Sequence, residues 1–147
     1  MRDMRNEGFP TPLAAKLTGV SVKTLENWDA RAFLKPSIAE AGGRGVSRIY
    51  SFRDVIAIRV VCELRDAGIS LSSLRRVVKY LRARNGLSAN EVLASTSLVT
   101  DGHDVFELEG KVTLSALRRP GQRVVFVVPF DELVTELQAK ARALQAA

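Results

Sequence analysis

The sequence predicts an α+β protein with a mostly helical N-terminal half, followed by a small C-terminal α/β region. Apolar residues recur at helical spacing through residues 11–86, short β-branched runs follow residue 97, and Gly-containing turns separate the segments. We expect residues 1–10 to form a flexible N-terminal arm, 11–86 one domain, and 87–147 a second, smaller domain that dimerises or senses a signal.

Two short helices joined by a tight turn are predicted after the arm. Thr11-Pro12 opens the first, because Thr is a favourable N-cap and Pro at the first helical position loses no hydrogen bond. Gly19 can adopt the positive φ that the turn requires. Ser21 caps the second helix, which we place at residues 21–31. Two such helices form the helix-turn-helix pattern.

A β-hairpin with a long tip, a wing over residues 36–50, is predicted next. Its Gly-rich tip, 41–45, lies between the flanking segments Phe33–Pro36 and Arg48–Tyr50. With the preceding helices, this hairpin makes a winged helix-turn-helix.

Two longer helices complete the N-terminal half. Ser51 caps the first, with Asp54 as its capping-box partner, and Gly68 ends it. The second begins near Ser70 and ends at Asn85-Gly86. Its apolar stripe consists of Leu71, Leu74, Val77, Val78 and Leu81. The basic residues beside this stripe predict a solvated face; they are Arg75, Arg76, Lys79, Arg82 and Arg84.

The C-terminal region alternates short helices and strands. We expect a short helix at 88–94 and a final helix from Asp131 with an apolar stripe. The strands and turns predicted between them are Leu98–Thr100, Val105–Leu108, Val112–Leu114, a turn at 118–121, and Arg123–Val128.

The basic charge is concentrated in the N-terminal half. Residues 1–87 carry 16 Lys and Arg against 8 Asp and Glu, whereas residues 88–147 carry 6 against 8. This indicates either a polyanionic partner for the first half or a solvated basic surface. The one cysteine, Cys62, excludes an internal disulfide and fits a cytoplasmic location. No apolar run approaches the roughly 20 residues of a membrane span, and we expect no signal peptide at the N-terminus.

The N-terminal half resembles the MerR family of transcription regulators. The matching segments are Leu17–Leu25, Trp28-Asp29, Phe33–Pro36, Arg48–Ser51, Asp54-Val55 and Leu64–Leu71. The segment Leu98–Gly102, followed by Val105-Phe106, is similar to a small α/β domain found after the winged helix in an actinobacterial subgroup of that family.

The resemblance implies that helix 21–31 enters the major groove of DNA and that the wing contacts the backbone. The expected contacts are Ser21, Lys23, Thr24, Asn27, Arg31, Arg44, Arg48 and Tyr50. Tyr50 is equally compatible with the core, and we assign Trp28 to the core. Glu26 stands where the family usually has Arg, and Asn27 stands where it has an aromatic residue. Because a carboxylate repels phosphate, we do not expect the family's phosphate contact at position 26. The Glu26 carboxylate could instead accept from cytosine N4, or pair with Lys23 or Arg31.

The predicted function is a sequence-specific regulator of transcription that binds double-stranded DNA, acts as a homodimer and is associated with the nucleoid. The family dimerises through a long C-terminal helix, whereas the candidate here, 131–144, is short. RNA polymerase is a further possible partner. Two alternatives stay open: an antitoxin that binds a toxin protein and represses its own operon, and an excisionase-like protein that bends DNA.

Neither catalysis nor a cofactor is predicted. The chain has one His, and its Gly-rich stretch lies between strands rather than between a strand and a helix, as a nucleotide-binding loop requires. Cys62 alone cannot form a thiolate metal sensor. We interpret Asp101, His103, Asp104 and Glu107 as solvated turn residues rather than as a metal-binding cluster.

Overall fold

A computed structural model of the chain describes residues 8–39, 48–86, 88–95, 98–100, 105–107, 126–127 and 130–146. The helices in these ranges are α1 (Thr11–Thr18), α2 (Val22–Ala30), α3 (Phe52–Asp66), α4 (Leu71–Asn85), α5 (Ala89–Ser95) and α6 (Phe130–Ala146). The strands are β1 (Gly8–Pro10), β2 (Ile49–Ser51), β3 (Leu98–Thr100), β4 (Val105–Glu107) and β5 (Phe126–Val127). The predicted class, a mostly helical N-terminal half followed by a small C-terminal α/β region, is confirmed.

The first strand corrects the predicted N-terminal arm. Residues 8–10 were assigned to it, but β1 pairs antiparallel with β2, and Phe9 lies opposite Tyr50. Both aromatic side chains are fully buried. Gly8 allows the close approach, because a Cβ there would lie 2.6 Å from Ile49 Cγ2. A single apolar residue between Gly and Pro carries too little periodicity to predict a strand. The rest of the predicted arm, residues 1–7, lies outside the described residues.

The helix-turn-helix is formed by α1 and α2, as predicted, but the start of α1 differs. Pro10 is its N-cap and makes no side-chain capping bond, while Thr11 is the first helical residue. Gly19 takes φ 78° in the turn, the left-handed conformation for which glycine was expected. Ser21 caps α2 as predicted.

The predicted wing is described only at its base. An isolated bridge joins Ala39 to Ile49, with Ile49 N–H donating to Ala39 O at 2.8 Å. The regular strand partner of β2 is β1 rather than the Phe33–Pro36 flank. Residues 40–47, which include Arg44, lie outside the described residues.

The core is built around α3, whose N-terminus carries the predicted capping box. Ser51 Oγ accepts from Asp54 N–H, and Asp54 accepts from Ser51 N–H in return. Gly68, at φ 100°, follows its C-cap. Most of its side chains are buried, including Val55, Ile58, Val60, Val61 and Leu64.

The C-terminal helices share this core, although the predicted domain boundary falls between α4 and α5. Both α5 and α6 pack against α3, and α6 also packs against α1. The final-helix stripe is buried at Leu133, Leu137 and Ala141. Residues 89–95 and 130–146 therefore pack against helices of the N-terminal half.

A second sheet of order β4-β3-β5 is antiparallel throughout and lies in the C-terminal region. It contains the predicted strands at 98–100 and 105–107, and part of the run predicted at 123–128. The predicted strand 112–114 and turn 118–121 lie outside the described residues. No described helix combines the length and apolar character that a membrane span requires.

Candidate nucleic-acid interface

The first turn of α2 presents an ordered polar pair to solvent. Ser21 Oγ accepts from Thr24 N–H at 3.1 Å and donates to Thr24 Oγ1 at 2.8 Å. Val22 and Lys23 beside them are exposed, and Thr24 is half-buried. The pair therefore lies at the N-terminus of α2, where the sequence predicts contacts with base edges.

One face of α2 is exposed and the other is buried, as the sequence predicted. Lys23 and Asn27, four residues apart, share the exposed face with Glu26. Leu25 and Trp28 are 1% and 2% exposed and hold the helix against the core. Among the described residues, Glu26 forms no ion pair with Lys23 or Arg31, so its carboxylate stays on the exposed face.

Arg48, which the sequence predicts as a DNA contact, forms an ion pair with Asp29. Its Nε donates to Asp29 Oδ2 at 2.6 Å, and Lys35 Nζ approaches Asp29 Oδ1 at 3.4 Å. Asp29 belongs to the last turn of α2 and is 6% exposed. The hydrogen bond with Asp29 raises the pKa of Arg48 above its usual value. In this conformation Arg48 therefore joins β2 to α2.

The structure corrects the prediction that Tyr50 contacts DNA, because its side chain lies in the core. The residue is fully buried, and its hydroxyl has no hydrogen-bond partner within the part of the chain that the structure describes. Burial first, and then the nearby charge of Asp29, raise the pKa of Tyr50 to about 12. The sequence is compatible with either a DNA contact or core packing for Tyr50, and the structure shows core packing.

Three arginines meet at the C-terminal end of α2. Arg31, the exposed C-cap of α2, lines a cavity of about 310 Å³ together with Arg75 and Arg76 of α4. The Arg75 guanidinium lies 5.7 Å from the centre of the Phe33 ring. Its Nε and Nη2 are buried and find no hydrogen-bond partner among the described residues, which is unusual for buried donors.

The prediction of a purely solvated face on α4 is therefore wrong at Arg75. A signal was present, because Arg75 follows Leu71 by four residues and adjoins Leu74, which places it at the margin of the apolar stripe. The side chains of Arg82 and Arg84 lie outside the described residues.

A second basic residue that sequence reasoning missed is Arg65, in the last turn of α3. It is exposed and lines a cleft with Ser21 and Thr24. Nothing in the local sequence indicates this proximity, because it depends on how α3 crosses the helix-turn-helix.

The described residues contain no group of three or more His, Cys, Asp or Glu side chains that could hold a metal ion. Of the four residues considered above, Asp101, His103 and Asp104 lie outside that part of the chain. Cys62 is partly buried, and this burial raises the pKa of its thiol.

Comparison with known proteins identifies the family. Residues 13–89 match the family model described as MerR HTH family regulatory protein. Over 117 residues, the chain is 34% identical to an uncharacterized HTH-type transcriptional regulator of Mycobacterium tuberculosis, strain ATCC 25618 / H37Rv, and to one of Mycobacterium bovis. These matches cover 80% of this chain and 50% of each relative, so the chain spans about half their length. The chain therefore belongs to the MerR family of DNA-binding helix-turn-helix transcription regulators.

Proposed function

We propose that the protein reads a specific double-stranded DNA site with α2 in the major groove while an arginine cluster, Arg31, Arg75 and Arg76, grips the adjacent backbone. The observation that carries this proposal is the position of that cluster. It lies at one end of the helix whose exposed face carries Lys23 and Asn27, so reading and positioning groups are contiguous.

The arginine cluster is matched to a phosphate. Arg31, Arg75 and Arg76 line one cavity and together supply the positive charge that attracts a phosphate group. The N-terminus of α4 is nearby, where Ser73 N–H already bonds Ser70 Oγ at 3.2 Å. Backbone contacts of this type fix the register of a protein on the duplex.

The exposed face of α2 supplies the base contacts. Asn27 can bind adenine N6 and N7 together, and Lys23 can bind guanine. Val22, a large apolar side chain that is 37% exposed, can contact a thymine methyl group. Glu26, which has no ion-pair partner in the described ranges, can accept a hydrogen bond from cytosine N4.

The wing has two parts with different roles in this proposal. Arg44 belongs to the Gly-rich segment 41–45 that the sequence predicts as the tip, and we propose that it contacts the DNA backbone. Arg48, at the base, holds β2 against Asp29 and so sets the angle of the wing relative to α2. Arg48 is therefore a positioning residue rather than a phosphate contact.

The active species is a homodimer on a two-fold-related operator, because one helix and one wing read too few base pairs for selectivity within a genome. The dimer interface lies elsewhere than on the apolar stripe of α6. Leu133, Leu137 and Ala141 are already buried within the protomer. Sedimentation equilibrium at micromolar concentration, with and without operator DNA, tests the assembly, and a monomer under both conditions would exclude it.

The test of DNA reading begins with genome-wide recovery of bound DNA, which supplies the operator. Affinity for that operator is then measured by fluorescence anisotropy over a series of salt concentrations. Arg75→Gln and Arg31→Gln each reduce the slope of log K against log salt by about 0.9. Asn27→Ala leaves the slope unchanged and lowers operator affinity about tenfold or more, without affecting unrelated duplexes.

Two controls define the result. Arg142→Gln on α6 removes the same charge outside the proposed interface and should leave the slope unchanged. Arg48→Gln should weaken binding without lowering the slope. Weak affinity for every duplex, independent of salt, would refute the proposed function, whereas an unchanged slope in Arg75→Gln would refute only the phosphate site.

A further inference from the structure

The segment that leads into the wing, residues 35–39, lacks the regular strand pairing that holds β2. All three residues of β2 pair with β1, whereas in the described part of the chain the bridge between this wing-entry segment and β2 joins Ala39 to Ile49 alone. Before that bridge, the segment is tied to the rest of the fold by side chains from other elements. Its position therefore depends on where those side chains are held.

Two side chains outside the wing make these ties. Asp54 in α3 accepts from Ser37 N–H and Ser37 Oγ–H at 2.8 and 2.7 Å. Asn90 in α5 donates from Nδ2 to Lys35 O at 2.7 Å. The Asn90 Nδ2 also donates to Asp54 Oδ1, again at 2.7 Å, so both of its amide protons have an acceptor. One amide group thus links the wing-entry segment to the carboxylate that is its other anchor.

Asn90 is itself held firmly. It is 7% exposed, and α5 packs against α3 and α4 with Ala89, Leu93 and Ala94 buried. A buried amide with both donors engaged has a defined orientation. Asn90 lies fifty-five residues from Lys35 and beyond the boundary that the sequence predicts for the N-terminal domain. The wing is therefore anchored in part from the C-terminal region.

From these contacts we infer that Asn90 is a positioning residue for DNA binding. It fixes the wing-entry segment against α3, and thereby sets where the wing meets the duplex, without touching DNA. Arg48 acts on the other side of the wing, where it holds β2 against Asp29. The inference rests on the proposed function, because only there does the wing contact DNA, but control of the wing-entry segment by Asn90 is tested without DNA.

Hydrogen exchange of the full chain, followed by NMR without DNA, tests that control. Asn90→Leu keeps a similar side-chain volume and removes both donors. The Ile49 N–H, which closes the bridge to the wing-entry segment, should exchange about tenfold faster than in wild type, because the segment loses an anchor. The Arg31 N–H, at the C-cap of α2, should keep its rate. Leu93→Val is the control: it alters the packing of α5, retains both Asn90 bonds, and should leave the Ile49 rate unchanged.

Operator affinity, measured by fluorescence anisotropy, tests the consequence for DNA binding. Asn90→Leu should lower it about fivefold or more, with an unchanged slope of log K against log salt because no charge is lost. Leu93→Val should bind as wild type does. Weak, salt-independent binding of wild type to every duplex would refute the proposed function, whereas faster Ile49 exchange in Asn90→Leu would still support control of the wing-entry segment.

Two results would overturn the inference itself. One is an Ile49 exchange rate that is the same in Asn90→Leu and wild type, and the other is faster exchange with unchanged operator affinity. If Asn90→Leu does not fold, wild type decides the matter. Both side-chain N–H protons of Asn90 should be protected from exchange, and rapid exchange of either would show that Asn90 does not hold the wing-entry segment.

Discussion

Two buried aspartates secure the base of the wing, and they do so by different means. Asp29, in the last turn of α2, is bound by two cationic side chains, Arg48 and Lys35. Asp54, in the first turn of α3, is bound by neutral donors from Ser37, Ser51 and Asn90. Both are almost fully removed from solvent, at 6% and 1% exposure.

The positions of the two carboxylates in their helices explain the difference. The N-terminus of a helix carries free N–H groups and a partial positive charge, so Asp54 is stabilised where it lies without a counter-ion. The C-terminus carries the opposite partial charge, and Asp29 needs cations to offset it. Asp54, at a helix N-terminus, is therefore bound by neutral donors, whereas Asp29, near a helix C-terminus, is bound by cationic side chains.

Because their donors differ in charge, we expect the Asp29 contacts to weaken with added salt and the Asp54 contacts to be unaffected. The cations on Asp29 are partly exposed, 24% for the Arg48 side chain and 48% for Lys35, so salt can screen the network. The donors to Asp54 are neutral, so salt has no counter-charge to screen there. This network also connects α5 to the wing base, because Asn90 donates to Lys35 O at 2.7 Å. The comparison predicts a graded series of effects on stability.

The largest effect is expected from Asp54→Ala. It removes the capping box of α3 and leaves Ser37 N–H, Ser51 N–H and one Asn90 N–H without acceptors. We expect a loss of about 3–5 kcal/mol in the free energy of unfolding, measured by urea denaturation. Asp66→Ala, at the exposed end of α3, is the control and should change it by about 0.5 kcal/mol or less. A loss below about 1 kcal/mol in Asp54→Ala would contradict a buried, fully bonded carboxylate.

The sequence identified one of these aspartates and not the other. Ser51-Phe-Arg-Asp54 is a local capping box, and local hydrogen bonds can be inferred from spacing. Asp29 pairs with Arg48, nineteen residues away across the wing, and Asn90 reaches Asp54 from thirty-six residues away. Such bonds depend on tertiary packing, which no periodicity encodes.

The same distinction holds for the candidate interface. The exposed face of α2 could be predicted because Leu25 and Trp28 define its buried side. The burial of Tyr50 and Phe9 could not, because it depends on the pairing of β1 with β2. The proximity of Arg75 to Arg31 likewise depends on tertiary packing, which brings the start of α4 to the C-cap of α2.

The stability of the protein at alkaline pH should depend on Tyr50, because the negative charges of Asp29 and Asp54 both raise the pKa of its hydroxyl. Its pKa is raised from 10.0 to about 12, so the folded state holds the proton more tightly than the unfolded state does. The stability present below pH 10 is therefore lost as the pH rises towards 12, by roughly 2–3 kcal/mol. Urea denaturation across this range should show that loss.

Tyr50→Phe is the matched control. It should abolish the Tyr50 contribution to the alkaline loss and change stability little at pH 7, because the hydroxyl it removes has no partner. An equal alkaline loss in wild type and Tyr50→Phe would mean that Tyr50 titrates normally and that the burial described here is wrong.

Asp29→Asn is expected to have a smaller effect, about 1–2 kcal/mol, because its partners are partly exposed. Its diagnostic property is salt dependence. The difference in unfolding free energy between wild type and Asp29→Asn should shrink as sodium chloride is raised, while the difference for Asp54→Ala stays constant. A parallel response of the two variants to salt would remove the distinction between the two networks.

Lys35→Gln should have the smallest effect, about 0.5 kcal/mol or less, measured by the same denaturation assay. The ammonium lies 3.4 Å from Asp29 and is half exposed, so side-chain entropy and screening offset most of its attraction. The backbone carbonyl that accepts from Asn90 is retained in this variant. Arg48→Gln is the comparison, because it removes a 2.6 Å hydrogen bond from a better-buried side chain and should cost more. If the two substitutions had equal effects, Asp29 would be balanced by net positive charge alone, and the geometry that ties β2 to α2 would contribute nothing to stability.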